Sequence, residues 1–268
     1  MTGSGTQQSP YVPTNWTELK QAAETTNAYI KRPDNSVWDL ARETISGISM
    51  ACTEIDFNGA TINHLRLTSG GAVFYLGVTD HDIPIKNLTI KNAYIKDSTI
   101  FWAISSTWVY YNNIFLENVV VEGALYNAKL WYCDNQSVKT KNCAFSFVAQ
   151  DSQLGTSNNE IKSTAIDFTG NVTAYIGALN LVLSALYGNM YLGQRLRSSG
   201  LRVMGESCIV DAEFDNFGSI AWDGGNGAAL INGSKLGGAT ADAHFIVATA
   251  SQMLDAEWLN EHGFPVTE

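Results

Sequence analysis

The chain has 268 residues, of which 45% are hydrophobic and only 16% are charged, and its formal net charge is −10. This apolar content argues against a disordered chain, because it is sufficient for a packed core. The negative charge argues against nucleic acid and anionic membranes as partners, since basic surfaces bind both.

Residues 1–14 are polar and contain Gly, Ser and Pro, and we expect them to form an extended arm that anchors the chain to other proteins. The segment has neither the basic nor the apolar region of a secretory signal, so we expect the chain to fold in a cytoplasm. No later apolar run approaches the roughly 20 residues of a membrane-spanning helix, and membrane insertion is not expected.

A short helix is predicted next, within residues 15–50, which also hold the first strands. Asn15 and Glu18 have the spacing of a capping box, and Trp16 and Leu19 lie three residues apart on one apolar face. The first coil of a stacked structure exposes apolar side chains and backbone donors. We therefore expect this helix to cover that coil.

Residues 51–248 contain a weak internal repeat. Four segments of alternating apolar and polar residues begin at positions 65, 88, 114 and 138, which are 23, 26 and 24 residues apart. A repeat of this length is typical of a solenoid with one coil per repeat, and the alternation indicates β-strands. Shorter coils of about 20 residues are predicted around Ile161, Leu181 and Leu201. The sequence therefore predicts an all-β, single-stranded parallel β-helix with short helices at both ends.

Asparagines end three of these segments, at Asn92, Asn118 and Asn142. Asparagine tolerates the left-handed backbone that a tight corner requires. Stacked asparagines can hydrogen-bond to one another from coil to coil, so these three are expected to form a ladder.

Aromatic residues recur in a third strand of successive repeats. The aligned pairs are Phe74-Tyr75, Phe101-Trp102 and Leu130-Trp131. With the first residue of each pair facing the core, alternation places Tyr75, Trp102 and Trp131 outside. An exposed aromatic stripe indicates a glycan-binding platform or a contact between subunits, of which the subunit contact is favoured. The pattern also allows the reverse assignment of inner and outer faces.

Three carboxylates lie in one late strand. Asp211, Glu213 and Asp215 alternate with apolar residues and therefore share a face. Residues two apart in a strand are separated by about 6.6 Å, which suits the carboxylate pair of a glycosidase. A solvent-facing strand of an acidic protein has the same pattern, and this second interpretation is favoured.

The C-terminal segment, residues 249–268, is predicted to contain a helix over about 252–262, followed by a tail. Thr249 and Gln252 have the spacing of a capping box. The buried face of this helix would comprise Met253, Leu254 and Trp258.

No cofactor or metal site is predicted. The four cysteines contain no CxxC pair and are interpreted as buried, reduced residues. They are Cys52, Cys133, Cys143 and Cys208.

Four phrases of the first half carry a family resemblance: residues 15–19 (NWTEL), 28–31 (AYIK), 55–62 (IDFNGATI) and 85–88 (IKNL). Together they resemble pectate-lyase-like, right-handed parallel β-helix proteins, and more narrowly the small β-helix structural proteins of phages and prophages. The resemblance implies a homotrimeric virion appendage, such as a head fibre, tail spike or receptor-binding protein. It carries over no active-site residue.

The expected function is therefore non-enzymatic attachment of a phage-like particle to a glycan or protein of the host surface. The arm of residues 1–14 would bind other virion proteins, and the chain would leave the host cytoplasm by lysis. Two alternatives are a glycan depolymerase that uses Asp211, Glu213 or Asp215, and a bacterial surface adhesin of the same fold. The lack of a signal sequence argues against the adhesin.

Overall fold

The structure is a computed structural model of the chain. It describes residues 1–76, 81–104, 113–134, 137–153, 160–162, 164–174, 179–192, 201–204, 208–215, 219–222 and 229–264. The paired strands run parallel, and each pairs with strands of the preceding and following coils. The predicted all-β parallel β-helix with short helices near both ends is therefore confirmed.

The helices are α1 (Trp16–Ala23) and α2 (Ala256–Glu261), with 3₁₀ turns at Gly233–Lys235 and Gln252–Leu254. The strands of the first half are β1 (Tyr29–Lys31), β2 (Val37–Asp39), β3 (Ile48–Met50), β4 (Glu54–Asp56), β5 (Thr61–Asn63), β6 (Arg66–Leu67), β7 (Ala72–Leu76), β8 (Ile83–Lys96), β9 (Thr99–Ile104), β10 (Asn113–Tyr126) and β11 (Lys129–Asp134). Those of the second half are β12 (Ser137–Lys141), β13 (Ala144–Gln153), β14 (Glu160–Lys162), β15 (Thr164–Ala174), β16 (Leu179–Leu192), β17 (Leu201–Met204), β18 (Cys208–Asp215), β19 (Ser219–Trp222), β20 (Ala229–Asn232), β21 (Thr240–Ala241) and β22 (Phe245–Ala248).

The solenoid begins earlier than the predicted residue 51. Strands β1, β2 and β3 already pair with β4, β5 and β7, so the first coil starts at Tyr29. Coils shorten toward the C-terminus, where Val210 pairs with Ile231, and Ile231 with Val247, at spacings of 21 and 16 residues. The short coil predicted near Leu201 is also present, with Leu179 as its partner.

Alternation along each strand directs every second side chain into the core. In β8, Ile83, Ile85, Leu88 and Ile90 are at most 1% exposed, while the residues between them are half-buried. Burial of each such side chain contributes about 1.5–3 kcal/mol. The core is therefore a set of apolar columns, one residue per coil, enclosed by the wall of strands.

Helix α1 lies at the N-terminal end of these columns, against β3. Asn15 caps it, since Asn15 Oδ1 accepts a hydrogen bond from the Glu18 N–H at 2.9 Å. The Glu18 carboxylate accepts from the Thr14 N–H at 2.8 Å, one residue beyond the predicted capping box. The rings of Trp16 and Phe74 are 6.4 Å apart, so the helix meets the core directly.

The N-terminal arm is folded against β1, which corrects the prediction of an extended arm. The Tyr11 N–H donates to the Tyr29 carbonyl at 2.8 Å, and the Lys31 N–H donates to the Tyr11 carbonyl at 2.9 Å. A buried Arg32 guanidinium also donates to the Pro13 carbonyl at 2.9 Å. Strand β1 would otherwise be a bare edge, and the arm supplies its missing partners.

The C-terminal helix is shorter than predicted. Thr249 and Gln252 form the expected box, with the Thr249 N–H donating to Gln252 Oε1 at 2.8 Å, but this box starts only a 3₁₀ turn. The backbone of Asp255 is extended, and its side chain caps α2 as a separate helix by accepting a hydrogen bond from the Trp258 N–H. Leu254 is 88% exposed, so its predicted burial is wrong, and Leu259 is the buried residue instead.

Candidate functional site

Asparagines at one corner form a ladder, which includes Asn118 and Asn142 as predicted. Asn118 Nδ2 donates to Asn87 Oδ1 at 2.9 Å, and Asn142 Nδ2 donates to Asn118 Oδ1 at 3.4 Å. Asn87 in turn donates to Asp56 Oδ1 at 2.9 Å. The φ angles of Asn87, Asn118 and Asn142 lie between 53° and 55°, as expected for left-handed corners.

Asn92 lies at a different corner, which corrects its predicted place in this ladder. Its Nδ2 donates to Asn63 Oδ1 at 2.9 Å. Strand β8 passes through two corners, at Asn87 and Asn92, and the sequence alignment matched the wrong one to Asn118. The bonded pair Asn87 and Asn118 are 31 residues apart in sequence, whereas the alignment used a spacing of 26.

The corner at Asn92 has no counterpart in the next coil. The pairing of β8 with β10 passes from Ile90–Val121 directly to Ala93–Gly123, so one residue of β10 stands opposite two of β8. A Cβ on Gly123 would lie 2.3 Å from the Ala93 carbonyl oxygen. Glycine at this position therefore lets the shorter coil pass close to its neighbour.

A cavity of about 430 Å³ opens on the outer surface at this point. Its polar lining comprises Arg42, His64, Arg66, Asn92 and Tyr94, and Gly123 and Ala124 provide small residues beside them. We call it the basic cavity. Sequence analysis missed it, because its residues come from four separate coils and share no local motif.

Two contacts hold side chains of the basic cavity in place. The Arg66 guanidinium lies 4.8 Å from the centre of the Tyr94 ring. His64 Nδ1 lies 2.9 Å from Asp39 Oδ1, and this hydrogen bond, with a second from the Ala41 N–H, lowers the pKa of the Asp39 carboxyl. The Asp39 carboxylate thus stays charged and orients the imidazole.

The aromatic pairs of the third strand follow a register that differs by one residue from the alignment. Trp131 pairs with Phe101, and Tyr132 pairs with Trp102. Trp131 is 0% exposed and belongs to the core, so its predicted place outside is wrong. Tyr132 takes that place, and Tyr75 and Trp102 lie outside as predicted.

We call Tyr75, Trp102 and Tyr132 the aromatic column. Successive ring centres are 5.7 Å apart and meet edge to face, at 80° and 83°. The Lys129 ammonium lies 4.2 Å from the centre of the Tyr132 ring. The buried Trp102 indole N–H has no hydrogen-bond partner in the described part of the chain.

The carboxylates of β18 are only partly described. Asp211 Oδ1 accepts from Asn232 Nδ2 at 2.7 Å and pairs with the Lys235 ammonium at 2.9 Å, which gives this carboxylate a structural role. The side chains of Glu213 and Asp215 lie outside the described residues. The catalytic interpretation of the three therefore stays a prediction.

Cys52 and Cys143 are free and buried, as expected. Burial raises the pKa of Cys52 to about 12 and that of Cys143 to about 11, so neither thiol is a nucleophile near neutral pH. The side chains of Cys133 and Cys208 lie outside the described residues. Among the residues whose positions are described, no cluster of His, Cys, Asp or Glu could hold a metal ion.

Comparisons of the chain with family models, with curated proteins and with solved structures find no match. In the described ranges, no helix has the length and apolar character needed to cross a membrane. Fold and surface geometry are therefore the grounds on which function is argued.

Proposed function

We propose that this chain is a rigid attachment protein of a phage-like particle, a homotrimeric virion appendage related to pectate-lyase-like β-helices. In this role the aromatic column binds a glycan of the host surface. The observation that carries the proposal is the column itself, three half-buried aromatic residues in register on the outside of a stiff stack.

The solenoid supports this role mechanically. Each coil contacts only its neighbours, so stability is the sum of many similar interfaces and the stack resists bending. The corner ladder of Asp56, Asn87, Asn118 and Asn142 adds side-chain hydrogen bonds across four successive coils. Ligands bound along its side would keep a fixed spacing.

The chemistry of the aromatic column favours a sugar over an apolar subunit contact. Tyr and Trp present an apolar face together with a polar group, which suits a ligand that has both. The Lys129 ammonium beside Tyr132 would be costly to bury against an apolar partner.

Binding to a panel of immobilised bacterial capsule and wall glycans tests the proposal. Trp102→Ala and Tyr132→Ala should each weaken binding of the recognised glycan by about tenfold or more. Tyr29→Ala removes a comparably exposed tyrosine from another strand and should leave binding unchanged. A wild-type chain that binds none of the glycans would contradict the proposal.

Two further measurements separate the alternatives. Sedimentation gives the assembly state, and a trimer that Trp102→Ala converts to monomers would reassign the column to the subunit contact. New reducing ends that disappear when Asp211, Glu213 and Asp215 are changed to their amides would replace attachment with glycan cleavage.

A further inference from the structure

We propose that the basic cavity binds the carboxylate of an acidic sugar, such as a uronic acid unit of a surface glycan. This inference rests on the proposed attachment function and refines it, because it names the class of sugar. The cavity lies on the strands that contain Arg66 and Tyr94, apart from the aromatic column on β7, β9 and β11.

Unpaired positive charge is the first argument. Arg42 and Arg66 both line the cavity, and neither forms an ion pair with a residue that the structure describes. Lys86 and Lys141, by contrast, pair with glutamates at 2.7 and 2.9 Å. In a chain with a net charge of −10, two free guanidinium groups at one cavity create a local site for an anion.

The kind of cation favours a carboxylate. A guanidinium presents a planar fork of donors that matches a carboxylate in bidentate geometry. Stacking on the Tyr94 ring restricts the Arg66 side chain before any ligand binds. Less side-chain entropy is then lost on binding.

Unused polar groups beside the arginines favour a sugar over a peptide carboxylate. Asn92 Nδ2 is bonded to Asn63, but the next coil lacks this corner, and Asn92 Oδ1 has no partner among the described residues. His64 Nδ1 is engaged by Asp39, which leaves Nε2 available at the cavity. Both atoms can bond to hydroxyl groups, which sugars carry in abundance and peptides do not.

The size of the site agrees with such a ligand. A cavity of about 430 Å³ falls within the range of small-molecule sites and is large enough for a sugar unit. Gly123 and Ala124 stand where larger side chains on β10 would fill it. The register change between β8 and β10 therefore creates the space and leaves the Asn92 amide oxygen without a partner among the described residues.

The test uses two sugars that differ at one carbon. Titration calorimetry of the full chain with methyl β-glucuronide and methyl β-glucoside compares a carboxylate with a hydroxymethyl group on the same ring. The glucuronide should bind about tenfold more tightly or better, since charge-assisted hydrogen bonds to arginine are the difference. Added salt should weaken binding of the glucuronide more than binding of the glucoside.

Three variants locate the site. Arg42→Gln and Arg66→Gln should each weaken glucuronide binding by about tenfold. Lys91→Gln removes the same charge from an exposed residue next to Asn92 that does not line the cavity, and should change binding less than about twofold. Arg42 is exposed, so its variant should unfold at the wild-type temperature and report on binding alone.

Equal binding of the two sugars, or an equal loss in Lys91→Gln and Arg42→Gln, would overturn the inference. Tighter binding of a short acidic peptide than of the glucuronide would also overturn it, in favour of a peptide site. If the glucuronide fails to bind while Trp102-dependent binding to the glycan panel persists, the inference fails and the proposed function stands. Loss of panel binding with the glucuronide result intact would contradict only the proposed function.

Discussion

The core is covered differently at the two ends of the solenoid. At the N-terminal end, α1 covers the core columns, and its Trp16 and Leu19 are 9% and 0% exposed. At the C-terminal end, α2 instead packs beside the stack, against Leu230 and Ala248, in a cluster separate from the main core. Val247, which continues an inner column below Ile231, is 55% exposed. The comparison teaches that an amphipathic helix near a chain end covers the core only where its apolar face meets the columns.

The largest effect is expected at the N-terminal end of the solenoid, where α1 covers the core. Leu19→Ala should lower the free energy of unfolding by about 2–5 kcal/mol, because it leaves a cavity under α1. Val247→Ala, at the C-terminal end, should lower the free energy of unfolding by less than about 1 kcal/mol, since much of that side chain is already in water. Urea unfolding of both variants measures the difference. Equal losses would show that the two ends are covered alike.

The next largest effect is expected in the asparagine ladder that joins successive coils. Asn118→Ala should cost about 2–4 kcal/mol, because it removes two hydrogen bonds and places a Cβ residue without a polar side chain in the left-handed region. Asn118→Gly removes the same bonds but relieves the backbone, so it should be the milder change. Thermal unfolding ranks the two, and a glycine variant that is the less stable would contradict the left-handed corner. A glycine variant as stable as the wild type would contradict a stabilising role of the ladder.

A smaller effect is expected from pH at the base of the ladder. Burial raises the pKa of Asp56, but hydrogen bonds from Asn87 and the Asn58 N–H, together with Lys31, outweigh it and lower the pKa below its ordinary value. A lowered folded pKa means that this stabilisation is present above the ordinary carboxyl range and is lost as the pH falls through the lowered value.

Asp56→Asn supplies the control for that pH effect, since its amide oxygen can still accept from Asn87 but cannot titrate. Unfolding measured between pH 6 and pH 2 should therefore show a steeper acid loss in the wild type than in the variant. Parallel curves would mean that Asp56 contributes no pH dependence.

The smallest effect is expected at the C-terminal end of the solenoid. Leu254 is 88% exposed, so Leu254→Ser should change the free energy of unfolding by less than about 0.5 kcal/mol. A loss above about 1 kcal/mol in urea unfolding would show that Leu254 is covered in solution.

Local patterns predicted more of the fold than of the candidate sites. The spacing of Asn15 and Glu18 located α1, and positive φ angles at Asn118 and Asn142 agree with their predicted corner role. The alignment failed at Asn92 and Trp131 for the same reason, since a coil gained or lost residues between the matched strands. The basic cavity left no sequence signal, because its lining residues are brought together only by stacking.

The sequence by itself determined that the chain winds into stacked parallel coils, because alternating side chains require an inner and an outer face and the asparagines permit tight corners. Only the tertiary structure decided the register of each coil on the next. That register fixed Trp131 inside and Tyr132 outside, and it opened the basic cavity beside Asn92. The physical reason is that a strand's period is two residues, so a miscount of one in a corner reverses every face while leaving the local pattern unchanged.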